Sequence, residues 1–198
     1  FEKTLEDEKK ILIESVTEPN DEKEQVLLRR MFLLIKESFS LVEDNLKSGK
    51  LTCLEEIKTM NTKIGLYDNF NKRNIYKKRM VEARVNFYWS LYTDLLLIHQ
   101  SLLHLVEGLN NKPLRFSNNS LNYFHLISTH FNSVYDAFFK NDIKSIRETS
   151  LQLKELLYQK IQISLLKSSG TESLLLYYLG ELSRLVYLTT MPISSIIV

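Results

Sequence analysis

The sequence predicts an all-α fold of two tandem antiparallel three-helix bundles, and three observations carry that expectation. Apolar residues recur at helical spacing through six long stretches. Glycine and proline are scarce, 5 and 3 among 198 residues, which argues against an all-β chain with many tight turns. The chain also repeats itself. Residues 32–64, moved along by 92 positions, land on 124–156 without a gap: Phe32 meets Phe124, Ile35 meets Ile127, Phe39 meets Phe131, Val42 meets Val134, Asp44 meets Asp136 and Glu56 meets Glu148. The pairs Leu46/Phe138, Leu51/Ile143, Leu54/Ile146 and Ile64/Leu156 keep apolar character. A fold built twice places its function at two equivalent sites or between them.

Each element follows from local signals. Residues 1–18 carry few apolar anchors among many charges and are expected to be a charged linker or marginal helix. The first bundle is assigned to 19–112. Pro19-Asn20-Asp21, with Glu24 in capping-box position, starts a helix that runs to about Lys47 and stops at Ser48-Gly49. Thr52 and Glu55 form a second capping box, opening a helix with the apolar stripe Leu54, Ile57, Met60, Ile64, Tyr67 and Phe70 that ends between Asn74 and Met80. A third helix covers about 81–109, ended by Gly108-Leu109-Asn110-Asn111-Lys112-Pro113. The second bundle, 113–198, repeats the plan with helices at about 119–140, 142–168 and 171–190. Asn141-Asp142 replaces Gly49-Lys50 as the turn, and Pro192 is expected to kink or fray the last residues. Movement of one bundle against the other about 108–113 is the mechanical freedom this plan suggests.

Composition narrows the function. A net charge of +2 gives no global case for nucleic acid. The one basic cluster, Lys72, Arg73, Lys77, Lys78 and Arg79, is expected to be the solvated end of a helix. A single cysteine, Cys53, excludes an internal disulfide framework. No run reaches the roughly 18 apolar residues of a membrane span, and the start at Phe1 suggests a piece of something longer. His99 and His104, five apart, point to different faces of one helix and cannot chelate together; His99 is expected to be a half-buried packing residue. The aromatics Phe87, Tyr88, Trp89 and Tyr92, with Tyr177 and Tyr178, are expected to pack where the bundles meet, and Gly180 to mark a close helix approach. No Gly-rich phosphate loop, nucleophile elbow or H-E-x-x-H is present.

Residues 93–101, Thr-Asp-Leu-Leu-Leu-Ile-His-Gln-Ser, align with 180–188, Gly-Glu-Leu-Ser-Arg-Leu-Val-Tyr-Leu. With the duplicated three-helix plan, they resemble the PhoU family, above all the PhoU-like domain of bacterial sodium/phosphate cotransporters, over about 21–190. The family's third helices carry N/T-D-L-E-R-I-G-D-H; Asp94, Leu95 and Ile98 match it in the first copy, Glu181, Leu182 and Arg184 in the second. The resemblance implies Asp94, Glu181 and Arg184 as binding residues. It also implies a non-enzymatic regulatory domain on the cytoplasmic side of the bacterial inner membrane. That domain would control phosphate uptake through contacts with the transporter's own membrane domain, with a homodimer as a further option. A free-standing phosphate-signalling adaptor and a purely structural module are the alternatives. The family's metal-binding acidic pair, however, falls on Leu96 and Gln100, and on Ser183 and Tyr187. With no carboxylate at those positions, no metal and no cofactor are expected.

Overall fold

Helix-forming periodicity becomes helix nearly throughout. The computed structural model describes the backbone of residues 2–7, 10–14, 21–77 and 84–198, and the side chains of 24–76 and 84–198. The helices are α1 (Asp21–Ser48), α2 (Leu54–Lys77), α3 (Val85–Leu109), α4 (Asn118–Lys140), α5 (Ile143–Glu155), a π-helical segment (Leu156–Ile161), α6 (Gln162–Lys167) and α7 (Gly170–Ile197). The sequence's fifth helix is therefore α5 and α6, joined through the π segment. Two antiparallel strands, β1 (Glu2–Asp7) and β2 (Lys10–Glu14), stand where a linker or marginal helix is expected. The run Ile11-Leu12-Ile13, with two β-branched residues, favours extended backbone. The start at Pro19-Asn20 and the basic residues Lys78 and Arg79 lie outside the described residues.

Helices α1, α2 and α3 pack on one another, as do α4, α5 and α7. The two sets meet through α1 against α4 and, most extensively, α3 against α7. Four helices, α1, α3, α7 and α4, therefore form a central ring, with α2 and α5 on its flanks. One hydrophobic core runs through both sets. The segment 110–117 joins the sets in the chain, but the shared core leaves no independent pair of bundles to swing about it.

The contacts between the sets are reciprocal. Phe32 meets Phe131 at 5.7 Å between ring centroids, and Phe39 meets Phe124 at the same 5.7 Å. The matched pair Phe39 and Phe131 meet each other at 5.4 Å. Contact of i with j′ and of j with i′, and self-contact at one position, is the pattern two-fold symmetry imposes. The matched residues Phe32/Phe124, Ile35/Ile127, Phe39/Phe131 and Val42/Val134 are all fully buried. The helix ends repeat bond for bond. Gly49 N–H donates to Leu46 C=O and Lys50 N–H to Asn45 C=O; Asn141 donates to Phe138 and Asp142 to Ala137. Both turns are Schellman caps. Gly49 and Asn141 hold their left-handed residue, with φ of 71° and 54°.

The departures have local causes. The ungapped repeat stops at Leu156, the first residue of the π segment. A π turn takes up one extra residue, so within the segment the interior positions become Leu157 and Ile161, a slip of one in register. Gly180 faces this segment: a Cβ there would lie 3.7 Å from Ile161 and 3.8 Å from Leu157, ordinary contact and not the close approach expected. The tight glycine is Gly108, where a Cβ would lie 3.0 Å from the Tyr178 ring. The expected box at Thr52 does not form. Helix α2 begins at Leu54, and Thr52 donates through its backbone N–H (2.6 Å) and its hydroxyl (3.2 Å) to Asn45 Oδ1. Helix α7 continues through Pro192 to Ile197, because Pro192, Ile193 and Ile196 are buried and packing outweighs the missing N–H. The aromatic expectation fails in part: Tyr92 is buried, but Phe87, Trp89 and Tyr177 are exposed.

Candidate functional site

The residues named by the third-helix motif do not converge. Gly108, at the end of α3, faces Tyr178, early in α7, and the helices touch along their length, so they run antiparallel. By a 1.5 Å rise per residue, Asp94 and Glu181 lie at levels roughly 16 Å apart. Asp94 is half-buried, and burial pushes its carboxyl up to about 6. Glu181 is half-buried and Arg184 exposed. Glu181 and Glu107 both approach the Tyr178 phenol, which burial above all holds over its ordinary range. Ser183 is buried and donates to Leu153 C=O at 3.3 Å; Leu96, Gln100 and Tyr187 are half-buried. Among the described residues, no three His, Cys, Asp or Glu side chains gather as a metal cluster. Cys53 is buried, and desolvation raises its thiol above the ordinary value, which suits a structural role.

Where polar chemistry does converge is inside the first three-helix set. On α2 the inward positions are Ile57, Asn61, Ile64, Asp68, Asn71 and Ile75, alternating at four and three residues. This is a heptad-type seam in which three members are polar, and Asn74 is buried beside it. At its first level the His99 ring is fully buried between α1 and α2. Its Nδ1 lies 3.1 Å from Asn61 Oδ1 and its Nε2 2.9 Å from Ser38 Oγ. An amide oxygen only accepts, so Nδ1 carries the proton and Nε2 accepts from the Ser38 hydroxyl. Ser38 Oγ also lies 2.8 Å from Leu34 C=O and 3.1 Å from Met60 Sδ. Burial lowers His99 to about 4, so the ring is neutral at pH 7.

About two turns further along α2, Lys72 Nζ sits 2.7 Å from Asp68 Oδ1 and donates to Oδ2 at 3.0 Å, with the Trp89 ring 5.4 Å beneath the ammonium. The Tyr92 hydroxyl donates to Glu24 Oε1 at 3.0 Å; burial, then the Glu24 charge, hold the phenol well above its ordinary range. Among the described residues, Asn71 Nδ2 reaches only the Met31 sulfur, at 4.0 Å, and Asn71 Oδ1 and Asn74 Nδ2 have no partner.

The chain Ser38–His99–Asn61 has the order of a nucleophile, base and orienting amide. Ser38 and His99 are both 0% exposed, so no substrate reaches the hydroxyl, and the arrangement works as a buried polar tie between three helices. Sequence reading missed this seam because it assigned the stripe to Met60, Tyr67 and Phe70. Those are half-buried, while Asp68 and Asn71 point inward. The signal was the unbroken 57-61-64-68-71-75 spacing, obscured by its polar members.

Comparison with known protein families, curated proteins and solved structures returned no match. Among the described residues no helix is long and apolar enough to cross a membrane.

Proposed function

We propose that this chain is a non-enzymatic, PhoU-like regulatory domain that acts through protein contacts on a sodium-dependent phosphate cotransporter. The observation that supports this reading best is the reciprocal packing of two three-helix sets, α1 against α4 and α3 against α7, which fits the duplicated plan the resemblance implies. The motif residues Asp94, Glu181 and Arg184 then serve as separate contact points at different levels of the α3–α7 pair. A single pocket would need them within a few ångströms of one guest. The natural partner is the membrane domain of the same polypeptide at the cytoplasmic face. No nucleic-acid role is proposed, since the net charge is only +2.

Deletion of residues 21–198 from the full-length transporter tests the reading. Phosphate uptake should change in rate or in its response to phosphate, while insertion in the membrane persists. Uptake unchanged in rate, affinity and response would defeat it. Arg184→Ala, an exposed change with little effect on folding, should reproduce part of the regulatory defect.

A further inference from the structure

We propose that α2 is a latch: it opens from the bundle as a unit, below the free energy of global unfolding, and acid releases it through His99. The proposal stands apart from the cotransporter reading and rests on the placement of α2 and the surroundings of His99.

Among the described elements, α2 packs only against α1 and α3. It can therefore leave while the central contacts α1–α4 and α3–α7 stay formed. Its inner face is also poorly suited to a dry interior. Asn61, Asp68, Asn71 and Asn74 are interspersed with Ile57, Ile64 and Ile75, and among the described residues Asn71 and Asn74 each keep one buried polar atom without a partner. Opening returns those atoms to water, so the polar seam gives back little stabilisation when α2 is docked. The flanking helix of the other set differs: Leu153, Leu156, Leu157 and Ile161 are buried there and apolar.

His99 bridges the joint that must open, with α1 on one ring nitrogen and α2 on the other. The groups bonded to the ring are Ser38 of α1 and Asn61 of α2, and Ser38 in turn touches the Leu34 carbonyl and the Met60 sulfur; all are neutral. An imidazolium could still donate to Ser38 Oγ and Asn61 Oδ1, but no carboxylate there balances its charge. Burial alone sets its titration, and the charged side chains of α7, Glu172, Glu181 and Arg184, do not shift it. Opened, the ring returns towards the ordinary histidine value of about 6.5. The open form thus binds the proton more tightly, and opening is favoured as pH falls from that value towards about 4.

Native-state hydrogen exchange on the whole chain tests this. The amides of α2 should share one opening, with less protection than those of α3, α4 and α7, and α5 should not share it. After correction for intrinsic exchange, the α2 opening should be roughly 20-fold more frequent at pH 5 than at pH 7. His99→Leu should lose this acid response, and Asn71→Leu should deepen protection in α2 and nowhere else. Exchange of α2 only together with α1 and α3, through global unfolding, would overturn the latch. So would an acid response that survives in His99→Leu. Should that variant fail to fold, the wild-type protection pattern and Asn71→Leu still decide the matter.

Discussion

The first and second three-helix sets share a frame and differ in what fills it. Phe32, Ile35, Phe39 and Val42 have buried counterparts of the same type, and the Schellman caps at Gly49 and Asn141 use the same bonds. At 92 positions along, however, Ser38 faces His130 and Asn61 faces Leu153; in the third helices His99 stands where the second set has Val186. At the end of the π segment, where the register has slipped by one, Asp68 corresponds to the buried, apolar Ile161. The shared frame holds the two sets together, whereas among the described residues the buried Asn, Asp and His side chains belong to the first set and the second buries only Ser and Thr. Each set also ties the starts of its first and third helices with a carboxylate, but from opposite sides. Glu24 on α1 accepts from Tyr92 on α3, whereas Glu172 on α7 accepts from the Ser117 and Ser120 hydroxyls at the start of α4.

The frame should respond equally in both halves. Phe39→Ala and Phe131→Ala each empty the same fully buried place, and each should cost about 3–5 kcal/mol in denaturant unfolding. A difference of more than half that cost between them would break the symmetry.

The filling should respond in one half only. His99 titrates at about 4 when folded and near 6.5 when unfolded, so the unfolded chain binds the proton more tightly between those values. Its contribution is present above about pH 6.5 and is lost as pH falls towards 4, a change of about 3 kcal/mol. Asp94 acts in the opposite sense. Its carboxyl is raised to about 6, so its burial weighs on the fold above that pH and is relieved as acid protonates it. Between pH 4 and 6 the two contributions nearly cancel, so in His99→Leu stability should fall as pH rises through that range, and Asp94→Asn added to it should remove the slope. A His99→Leu curve as flat as the wild type's would contradict the assignment.

The π segment offers a smaller test. Gly180→Leu should overlap Leu157 and Ile161 and cost about 1–3 kcal/mol. Gly180→Ala should be neutral or stabilising by up to about 1 kcal/mol, because a Cβ has room and alanine favours helix. A marked loss in the alanine variant would mean that the Ile161 side chain lies closer than 3.7 Å to a Cβ at position 180. The equivalent caps come next: Gly49→Ala and Asn141→Ala should each cost about 1 kcal/mol, since alanine strains a left-handed position. Thermal unfolding of both variants checks it.

The legible part of this molecule is its apolar frame. Helix ends at Gly49, Leu109 and Asn141 follow from residues with strong local preferences, and the matched phenylalanines were visible as a repeat. What stayed hidden depends on packing that no local pattern encodes. The π segment only marks its place as the point where the repeat stops. Pro192 reads as a helix breaker, yet burial carries α7 past it. The polar seam of α2 has no place in the apolar stripe read from the sequence, because asparagine and aspartate inside a bundle run against transfer energetics. Of the motif residues Asp94, Glu181 and Arg184, the sequence placed each on its helix, but the antiparallel α3–α7 pairing separates Asp94 from Glu181.

Paired double-mutant cycles test the two-fold frame most directly. One cycle removes Phe32 and Phe131, the other Phe39 and Phe124, with each substitution to alanine measured singly and together. Both pairs meet at 5.7 Å in mirrored roles. The account predicts the same coupling in both cycles, about 0.5–1.5 kcal/mol. Strong coupling in one and none in the other would contradict it.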